Sequence, residues 1–452
     1  MNNKTSQLLA GLVLGGLLAA APAPAQSDYA TPYTFVTLAG LAGNYGGNDG
    51  TNSDARFYYP EGTVVDTNGN VYVVDYSENT VRKLTPVGTN WVVTTIAGTT
   101  GSSGGSADGT NGAAQFSEPT SIAMDGAGNL YVTDSGNNTI RKLAPAGTNW
   151  VSTTIAGLAN GSSGSADGTN QDAQFTRPTG IAADAGGNLY VADTDNQTIR
   201  KLTSSGTNWV VTTIAGTLQT TGSADGTNDD ALFFEPSGLA VDGAGNLYVA
   251  DTFNNAIRKL TPAGTNWVVT TIAGSPPSYG GTDGTNQAAL FNFPYDLAAD
   301  QAGNLFVADT FNNTIRKITP SGTNWVTTTL AGAADGSSGS TDGTGAGALF
   351  SNPDGIAVDG AGRLFVGDTA NGTIRMGQIP VVTSVPNLAI SLAAPNTVTV
   401  SWPVLGSYTL QTNGVLTTTN WGNYGGAPAI SNGTNSITIS PPVGNLFFRL
   451  AN

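Results

Sequence analysis

The hydrophobic positions of the chain fall into short alternating runs that are separated by turn residues. Between Gly238 and Gly274, these runs are GLAVD, NLYVAD, AIRKLT and WVVTTIAG. Alternation with a period of two, bounded by Gly, Pro and Asn, predicts β-strands. This stretch therefore predicts four short strands that are joined by tight turns.

The same pattern recurs along most of the chain with a nearly constant period. An aspartate closes the second predicted strand of every copy, with a spacing of 58 or 59 residues: Asp75, Asp134, Asp193, Asp251, Asp309 and Asp368. An arginine follows each aspartate by seven residues, and a proline, a phenylalanine and an Asp-Gly pair precede it at fixed offsets. Six radially repeated copies of four strands predict an all-β fold, a six-bladed β-propeller.

The two ends of the array predict how the ring of blades closes. The sixth copy continues past Arg375 without a fourth strand, whereas YTFVTLAG at 33–40 matches that strand ahead of the first copy. An N-terminal strand that completes the last blade would close the ring and remove the exposed edges that an open array would carry. Small residues in the first strand, such as Gly180 and Gly355, are expected at the innermost position, where the blades converge.

Three local features of the repeat have structural interpretations. If Asp251 faces Arg258 across a hairpin, a two-residue turn is centred on Asn254 and Asn255, which tolerate positive φ. Six identical acid–base pairs indicate cross-strand ion pairs of about 0.2–1 kcal/mol each, because a function rarely needs six identical sites. The Asp-Gly pairs, which Thr-Asn mostly follows, predict a turn that caps one helical turn rather than a calcium loop.

Beyond residue 380 the period stops. Residues 33–380 are therefore assigned to the propeller, 381–386 to a linker and 387–452 to a small C-terminal β-sandwich-like module. Within this module, strands are predicted at 397–402, 407–412 and 435–440, where apolar and polar residues alternate.

The composition excludes several classes of function. The chain has no Cys and no His, which excludes disulfides, thiol nucleophiles and imidazole chemistry. Its formal net charge is −15, and eleven of the sixteen basic residues are the Arg and Lys of the repeat. An acidic chain without a basic patch is not expected to bind nucleic acid.

The N-terminus predicts export. A basic Lys4, an apolar run at 8–21 and the small residues Ala23 and Ala25 are typical of a cleavable signal peptide at 1–25. The apolar run is shorter than the roughly 20 residues that span a bilayer, and no other segment is long enough. We expect a secreted, periplasmic or cell-surface protein with no membrane span after signal removal.

The repeat resembles the NHL-repeat family of propellers, in the type found in exported bacterial proteins. Its units likewise run from proline through a small residue and Ile-Ala-Val-Asp to Gly-Asn-Leu-Tyr-Val-Ala-Asp, Asn and Ile-Arg, and the resemblance covers about 33–380. It implies six blades, but members of the family have diverse roles, so the fold does not imply the function. The C-terminal module is similar to short β-sandwich tails of exported bacterial proteins.

Positions that differ between the copies are the candidates for a site. The loop before each first strand and the hairpin after each second strand are expected on one face, around the channel mouth. Aromatic and charged residues there suit sugar rings or peptide side chains. The candidate ligand-binding residues are Phe253, Tyr279, Phe293, Tyr295, Asp296, Phe311, Glu235 and Arg177. The alternative interpretation is that these aromatic side chains only pack over the blade edges.

These residues favour a non-catalytic module that binds a glycan, peptide or protein ligand without a cofactor. The alternative is an enzyme, because related propellers of the gluconolactonase type hold a divalent metal with Glu, Asn and Asp. That resemblance implies a metal site, for a cation such as calcium, at four residues: Glu61, Asp296, Asn352 and Asp354. The related amidating lyases use His ligands, which this chain lacks. A third alternative is a purely structural surface protein.

Overall fold

The computed structural model describes residues 32–158 and 161–380, followed by 388–394, 397–403, 409–413, 422–423, 428–431, 434–439 and 447–451. The described residues form six five-stranded antiparallel sheets and two smaller sheets. The predicted signal peptide and the predicted linker lie outside the described residues. No helix in the described part of the chain is long and apolar enough to cross a membrane.

The four predicted strands of each copy form one blade, numbered here by copy. The first strands are Pro60–Val65, Pro119–Met124, Pro178–Ala183, Pro236–Val241, Pro294–Ala299 and Pro353–Val358. The second strands are Val71–Asp75, Leu130–Asp134, Leu189–Asp193, Leu247–Asp251, Leu305–Asp309 and Leu364–Asp368. The third strands are Thr80–Val87, Thr139–Ala146, Thr198–Ser205, Ala256–Ala263, Thr314–Ser321 and Thr373–Gln378. The fourth strands of blades one to five are Asn90–Ala97, Asn149–Ala156, Asn208–Ala215, Asn266–Ala273 and Asn324–Ala331.

The N-terminal strand closes the ring of blades. Thr34–Gly40 pairs with Thr373–Gln378 and takes the place of the fourth strand in blade six. The first strands of neighbouring blades pack against one another around the complete ring, including blade six against blade one. The predicted six-bladed propeller and its closure by an N-terminal strand are confirmed.

Each blade also carries a short fifth strand that the sequence pattern did not predict. These strands are Gly50–Thr51, Gly109–Thr110, Gly168–Thr169, Gly226–Thr227, Gly284–Thr285 and Gly343–Thr344. Each pairs with the outer edge of the fourth strand and so satisfies backbone groups that would otherwise face solvent. The prediction of a turn at these Gly-Thr pairs was wrong for this reason.

A helical turn follows each fifth strand, as predicted. These 3-10 helices are Asn52–Asp54, Asn111–Ala113, Asn170–Asp172, Asn228–Asp230, Asn286–Ala288 and Gly345–Gly347. The threonine before each of them makes no side-chain capping hydrogen bond. In five blades, the side-chain oxygen of the first helix residue instead accepts a hydrogen bond from the fourth strand. In blade four, the backbone N–H of Trp267 donates to Oδ1 of Asn228 at 2.7 Å.

The hairpin between the second and third strands differs from the predicted two-residue turn. Asp251 pairs with Ala256, and Arg258 lies opposite Val249, so four residues connect the strands. A 3-10 helix occupies the first three of them in blades two to six: Ser135–Asn137, Thr194–Asn196, Thr252–Asn254, Thr310–Asn312 and Thr369–Asn371. The predicted positive φ is confirmed at Asn255, where φ is 51°.

The centre of the ring is too tight for side chains at several positions. A Cβ atom added to Gly180 would lie 1.9 Å from the carbonyl oxygen of Ser237 in the next blade. At Gly355 the corresponding distance is 2.0 Å, to the carbonyl oxygen of Glu61. The small residues expected at the innermost position are therefore required by the close approach of neighbouring first strands.

The hydrophobic core of the propeller lies between adjacent blades. In one such layer, the ring of Tyr190 from blade three meets Trp267 from blade four edge to face, at 5.7 Å between centroids. Phe233 is fully buried in the same layer. Because every layer joins two blades, the blades stabilise one another, as expected of a repeat architecture.

The two smaller sheets lie in the C-terminal part of the chain. The four-stranded sheet has the order Ala389–Ala394, Thr397–Pro403, Thr434–Ile439 and Ala429–Ser431. The three-stranded sheet has the order Gly422–Asn423, Thr409–Asn413 and Phe447–Ala451. Side chains of both sheets share one buried cluster, which contains Trp402 and Leu410.

Candidate functional site on the loop face

Six buried arginines link the core of each blade to its loops. In blade four, the guanidinium of Arg258 donates to the carboxylate of Asp251 at 2.5 Å and to that of Asp225 at 3.0 Å. It also donates to two backbone carbonyl oxygens and lies 5.2 Å from the ring centroid of Phe233. The equivalent pairs, here called the ladder, are Arg82–Asp75, Arg141–Asp134, Arg200–Asp193, Arg316–Asp309 and Arg375–Asp368.

The ladder confirms the predicted ion pairs, but the pairs are buried rather than exposed and their residues are not directly opposite one another. Both side chains of every pair are fully buried, and the strand register places Arg258 opposite Val249 rather than Asp251. The long arginine side chain reaches along the strand to the carboxylate. Removal of one partner from a buried pair leaves an uncompensated charge, which costs far more than the loss of an exposed pair.

The ladder carboxylate also holds together the two loops that form one face of the propeller. We call this the loop face: the loop before each first strand and the hairpin after each second strand. Asp251 accepts a hydrogen bond from the backbone N–H of Phe234 at 2.8 Å and from the amide of Asn254 at 2.8 Å. The N–H of Phe253 then donates to the carbonyl oxygen of Phe234 at 3.1 Å. The scaffold thus fixes the backbone beneath the exposed side chains.

The residue before each proline has a left-handed backbone in all six blades. These residues have φ between 47° and 63° and are Tyr59, Glu118, Arg177, Glu235, Phe293 and Asn352. This conformation is disfavoured for any residue other than glycine. It is also disfavoured for a residue that precedes proline. In five blades, a side chain of the preceding blade accepts the N–H of this residue, as Asn255 does for Phe293 at 2.8 Å. The sequence pattern did not predict this conformation.

Five aromatic residues of blades four and five form one cluster, which we call the aromatic patch: Phe234, Phe253, Phe293, Tyr295 and Phe311. Phe293 is at its centre, stacked on Phe311 at 4.4 Å between centroids with an interplanar angle of 10°. Phe253 meets Phe293 edge to face at 4.9 Å and stacks on Phe234 at 5.0 Å. Phe253 is 41% exposed and Phe311 52% exposed. Four of the predicted aromatic residues, Phe253, Phe293, Tyr295 and Phe311, therefore lie together, with two rings open to solvent.

A second aromatic cluster lies at blade one and was not among the predicted site residues. Tyr45, Tyr58 and Tyr59, here called the tyrosine patch, have ring centroids 5.0–6.1 Å apart. All three side chains are exposed. The hydroxyl of Tyr45 donates to the carbonyl oxygen of Ala370 in the hairpin of blade six, at 2.8 Å. The consecutive Tyr58 and Tyr59, at positions where blade two has Ser117 and Glu118, were the available sequence signal.

The predicted charged residues Arg177 and Glu235 pair with each other. The guanidinium of Arg177 donates to Glu235 at 2.9 Å and to Asp195 at 2.8 Å. Burial lowers the pKa of Arg177, but the hydrogen bonds and charges of Asp195 and Glu235 raise it overall. The three charges lie on blades three and four and satisfy one another.

Three carboxyl groups surround the axis, and we call them the axial carboxyls: Glu61, Asp296 and Asp354. Burial raises the pKa of Asp296 and of Asp354 to about 7. Burial, and then the charge of Asp354, raise the pKa of Glu61 well above its usual range. Asp296 accepts the backbone N–H of Ile356 in blade six at 3.0 Å. The predicted position of Asp296 at the channel mouth agrees with this geometry.

The axial channel is nearly closed. Residues of all six first strands line it, among them Gly62, Tyr295, Asp296 and Asp354, and they leave a cavity of about 10 Å³. Such a volume is close to that of a single water molecule. The space between these residues therefore has room for about one water molecule and not for a sugar ring.

The four residues of the predicted metal site include the three axial carboxyls, Glu61, Asp296 and Asp354. Glu61, Asp296 and Asp354 line or adjoin the axis, whereas the backbone N–H of Asn352 is bound by Asn313 of blade five. Within the described ranges, no group of three or more carboxyl side chains is arranged to hold a metal ion. The last predicted residue, Tyr279, lies outside the aromatic patch, in the loop between Asn266–Ala273 and Gly284–Thr285, and is 71% exposed.

These features define a six-bladed β-propeller with a varied loop face. Residues 57–84, 116–143 and 175–202 match the NHL repeat. The propeller therefore contains NHL repeats, as its sequence pattern indicated.

The chain is similar to several known proteins. Over 300 residues it is 29% identical to Protein SUPPRESSOR OF QUENCHING 1, chloroplastic, of Arabidopsis thaliana, which covers 63% of this chain and 27% of that protein. Over 303 residues it is 29% identical to NHL repeat-containing protein 2 of Homo sapiens, which covers 60% of this chain and 40% of that protein. The chain thus spans less than half the length of either relative.

Among solved structures, an auxiliary nutrient binding protein from Bacteroides thetaiotaomicron has a similar fold. The two chains superimpose with a TM-score of 0.58 and 18% identity over 76% of each chain. At this identity, the similarity shows the fold alone.

Proposed function

We propose that the loop face binds a neutral glycan without catalysis, with the aromatic patch as its principal contact. The observation that carries this proposal is the pair of exposed rings, Phe253 and Phe311, which Phe293 holds in one rigid cluster. Flat, exposed aromatic faces complement the apolar C–H faces of sugar rings. Because both rings are held on a fixed backbone, little side-chain conformational entropy is lost when a ligand binds.

The polar groups beside the patch support a ligand rich in hydroxyl groups. Tyr295 belongs to the patch and also lines the axial cavity with Asp296 and Asp354. Because the pKa of both carboxyls is about 7, each can donate or accept a hydrogen bond near neutral pH. Asp296 and Asp354 are partly exposed, so a sugar hydroxyl at the channel mouth, which also donates and accepts, matches these groups without entering the channel.

The charge distribution favours a neutral glycan over an anionic one. The chain carries a formal net charge of −15, and Arg177 on the loop face is neutralised by Asp195 and Glu235. A sulfated or uronic-acid polymer would therefore meet net repulsion rather than a cationic site.

A glycan array tests this proposal. The protein without its first 25 residues is applied to neutral oligosaccharides, including cello-, xylo-, manno- and malto-oligosaccharides, and to uronic-acid oligosaccharides. We expect retention on one neutral series and a loss of about tenfold or more in affinity for the F253A/F311A variant. Ala370 occupies the equivalent position in blade six, so alanine is compatible with the hairpin.

A matched control separates this effect from a general loss of apolar surface. Val87, 56% exposed, is the last residue of the third strand of blade one, at the opposite end of the blade from the hairpin. V87A should bind as the unsubstituted protein does. Equal binding by F253A/F311A, or retention on none of the neutral series, would contradict the proposal.

We also propose that the protein is exported. The basic start, the apolar run at 8–21 and the small residues before position 26 support cleavage after Ala25. Expression of the full chain in a bacterial host, followed by N-terminal sequencing of the extracytoplasmic fraction, should give a chain that begins at Gln26. An uncleaved chain in the cytoplasm would contradict export.

A further inference from the structure

The tyrosine patch is not needed by the fold. Tyr58 and Tyr59 occupy positions where blade two has Ser117 and Glu118, with the same strand order and the same left-handed backbone before the proline. Blade two therefore keeps the same backbone without these tyrosine side chains, which are exposed to solvent. Contiguous exposed apolar surface of this kind marks a binding surface.

The junction between blades six and one is altered to seat the tyrosine patch. At the other five junctions, an Asn or Gln side chain accepts the N–H of the residue before the proline. At this junction the equivalent residue is Gly372, with φ of 64°. A Cβ atom on Gly372 would lie 3.1 Å from the ring of Tyr45, so glycine leaves space for that ring. Tyr45 therefore stands where the repeated hydrogen bond is missing.

Blade six separates the two patches and presents small side chains between them. Its hairpin carries Ala370, where blades four and five carry Phe253 and Phe311. Tyr45 contacts this hairpin through the Ala370 carbonyl oxygen. From the other side, Asn313 of blade five binds the loop of blade six at the N–H of Asn352. Both patches thus adjoin the loops of one blade, and no large side chain of that blade's hairpin rises between them.

We propose that the tyrosine patch is a second subsite for the same glycan, so that the loop face binds an extended chain across blade six. This inference rests on the proposed glycan binding at the aromatic patch. A straight, flat chain of β-1,4-linked neutral sugars presents apolar faces to both patches, whereas a single sugar or a disaccharide occupies one. Two linked contacts strengthen binding because the second becomes intramolecular once the first has formed.

Length dependence of binding tests this inference. Isothermal titration calorimetry measures the affinity for cello-oligosaccharides of two to eight units, with malto-oligosaccharides of equal length as a curved-chain control. We expect the affinity for cello-oligosaccharides to rise about tenfold or more between the shortest and longest chains. The curved control should show no comparable rise.

Two variants identify the source of that rise. Y58S/Y59E introduces the residues that blade two carries at these positions, so the fold should be kept. G372N introduces the residue that four other blades carry at this position, and its side chain requires the ring of Tyr45 to shift. These equivalent residues are Asn79, Asn138, Asn255 and Asn313. Both variants should bind cellobiose as the unsubstituted protein does but lose the gain with length.

The outcomes distinguish the two proposals. If cellobiose binds through the aromatic patch and Y58S/Y59E keeps the full gain with length, the second subsite is overturned and the proposed function stands. If the unsubstituted protein binds none of the cello-oligosaccharides, both are overturned for this class of glycan. A gain that is lost in Y58S/Y59E and G372N, with unchanged melting temperature, supports the second subsite.

Discussion

Two residues apart in the same hairpin, Asp251 and Phe253 have opposite surroundings. Asp251 is fully buried, is paired with Arg258, and has an identical counterpart in each of the other five blades. Phe253 is 41% exposed, and the equivalent positions hold Ser77, Gly136, Asp195, Phe311 and Ala370. The repeated residue fixes the backbone, and the varied residue uses that backbone to present a side chain.

The difference shows how one fold can change its ligand without a change in architecture. Every blade needs the ladder, because its carboxylate holds the two loops of the blade and its arginine fills the space between strands. The exposed positions of the loop face, such as that of Phe253, do not contribute to the ladder and are free to vary. Aromatic residues at such positions occur on blades one, four and five, so we attribute binding to them and stability to the ladder.

The largest expected effect is at the ladder. R258M removes the charge but keeps apolar volume, and it leaves Asp251 buried without its partner. We expect a loss of about 3–5 kcal/mol in the free energy of unfolding, measured by urea denaturation. The double variant D251N/R258M should recover part of this loss, because no uncompensated charge remains. Equal stability of R258M and the unsubstituted protein would show that the ladder is not structural.

The next effect concerns the closure of the ring. Leu38 in the closing strand and Leu330 in blade five occupy equivalent positions, and both are buried. L38A and L330A should each lower the free energy of unfolding by about 2–5 kcal/mol, through lost burial and a residual cavity. If L38A costs much less than L330A, the closing strand is not an integral part of blade six.

A smaller effect is expected from pH at the axial carboxyls. Burial raises the pKa of Asp296 from 3.8 to about 7, so the folded state binds this proton more tightly than the unfolded state. The contribution is therefore present at acidic pH and is lost as pH rises through the window between about 4 and 7. D296N cannot ionise, so its melting temperature should exceed that of the unsubstituted protein increasingly across this window.

A control isolates the axial position. Asp229 lies exposed on the outer turn of blade four, and D229N should give the same pH profile as the unsubstituted protein. If D296N and the unsubstituted protein keep a constant difference in melting temperature from pH 4 to 8, the ionisation of Asp296 is not linked to folding.

The fold could be predicted from the sequence because the residues that are buried recur at the same positions of every repeat. The offsets of Asp251 and Arg258 and the missing fourth strand of blade six gave the blade count and its closure. The ion pairs were predicted as exposed because a strand pattern alone does not show that Arg258 reaches along the strand to Asp251. The two-residue turn was wrong because Asp251 also binds Asn254, which requires a longer hairpin.

Only part of the candidate site could be predicted from the sequence. Phe253 and Phe311 stood out because they replace small or polar residues at the same offset. Tyr45 was missed because it lies before the first copy in a loop of variable length, where no offset aligns it. The left-handed backbone at Phe293 was not predictable from local preference, since a residue before proline avoids it and only contacts with blade four hold it.

The most direct test of the account measures stability and binding together in F253A/F311A. We expect the melting temperature to stay within about 2 °C of the unsubstituted protein, because both rings are exposed and the ladder beneath them is intact. Binding to the neutral oligosaccharide found on the array should fall by about tenfold or more. A variant that melts several degrees lower yet binds unchanged would contradict the division between the ladder and the exposed positions of the loop face.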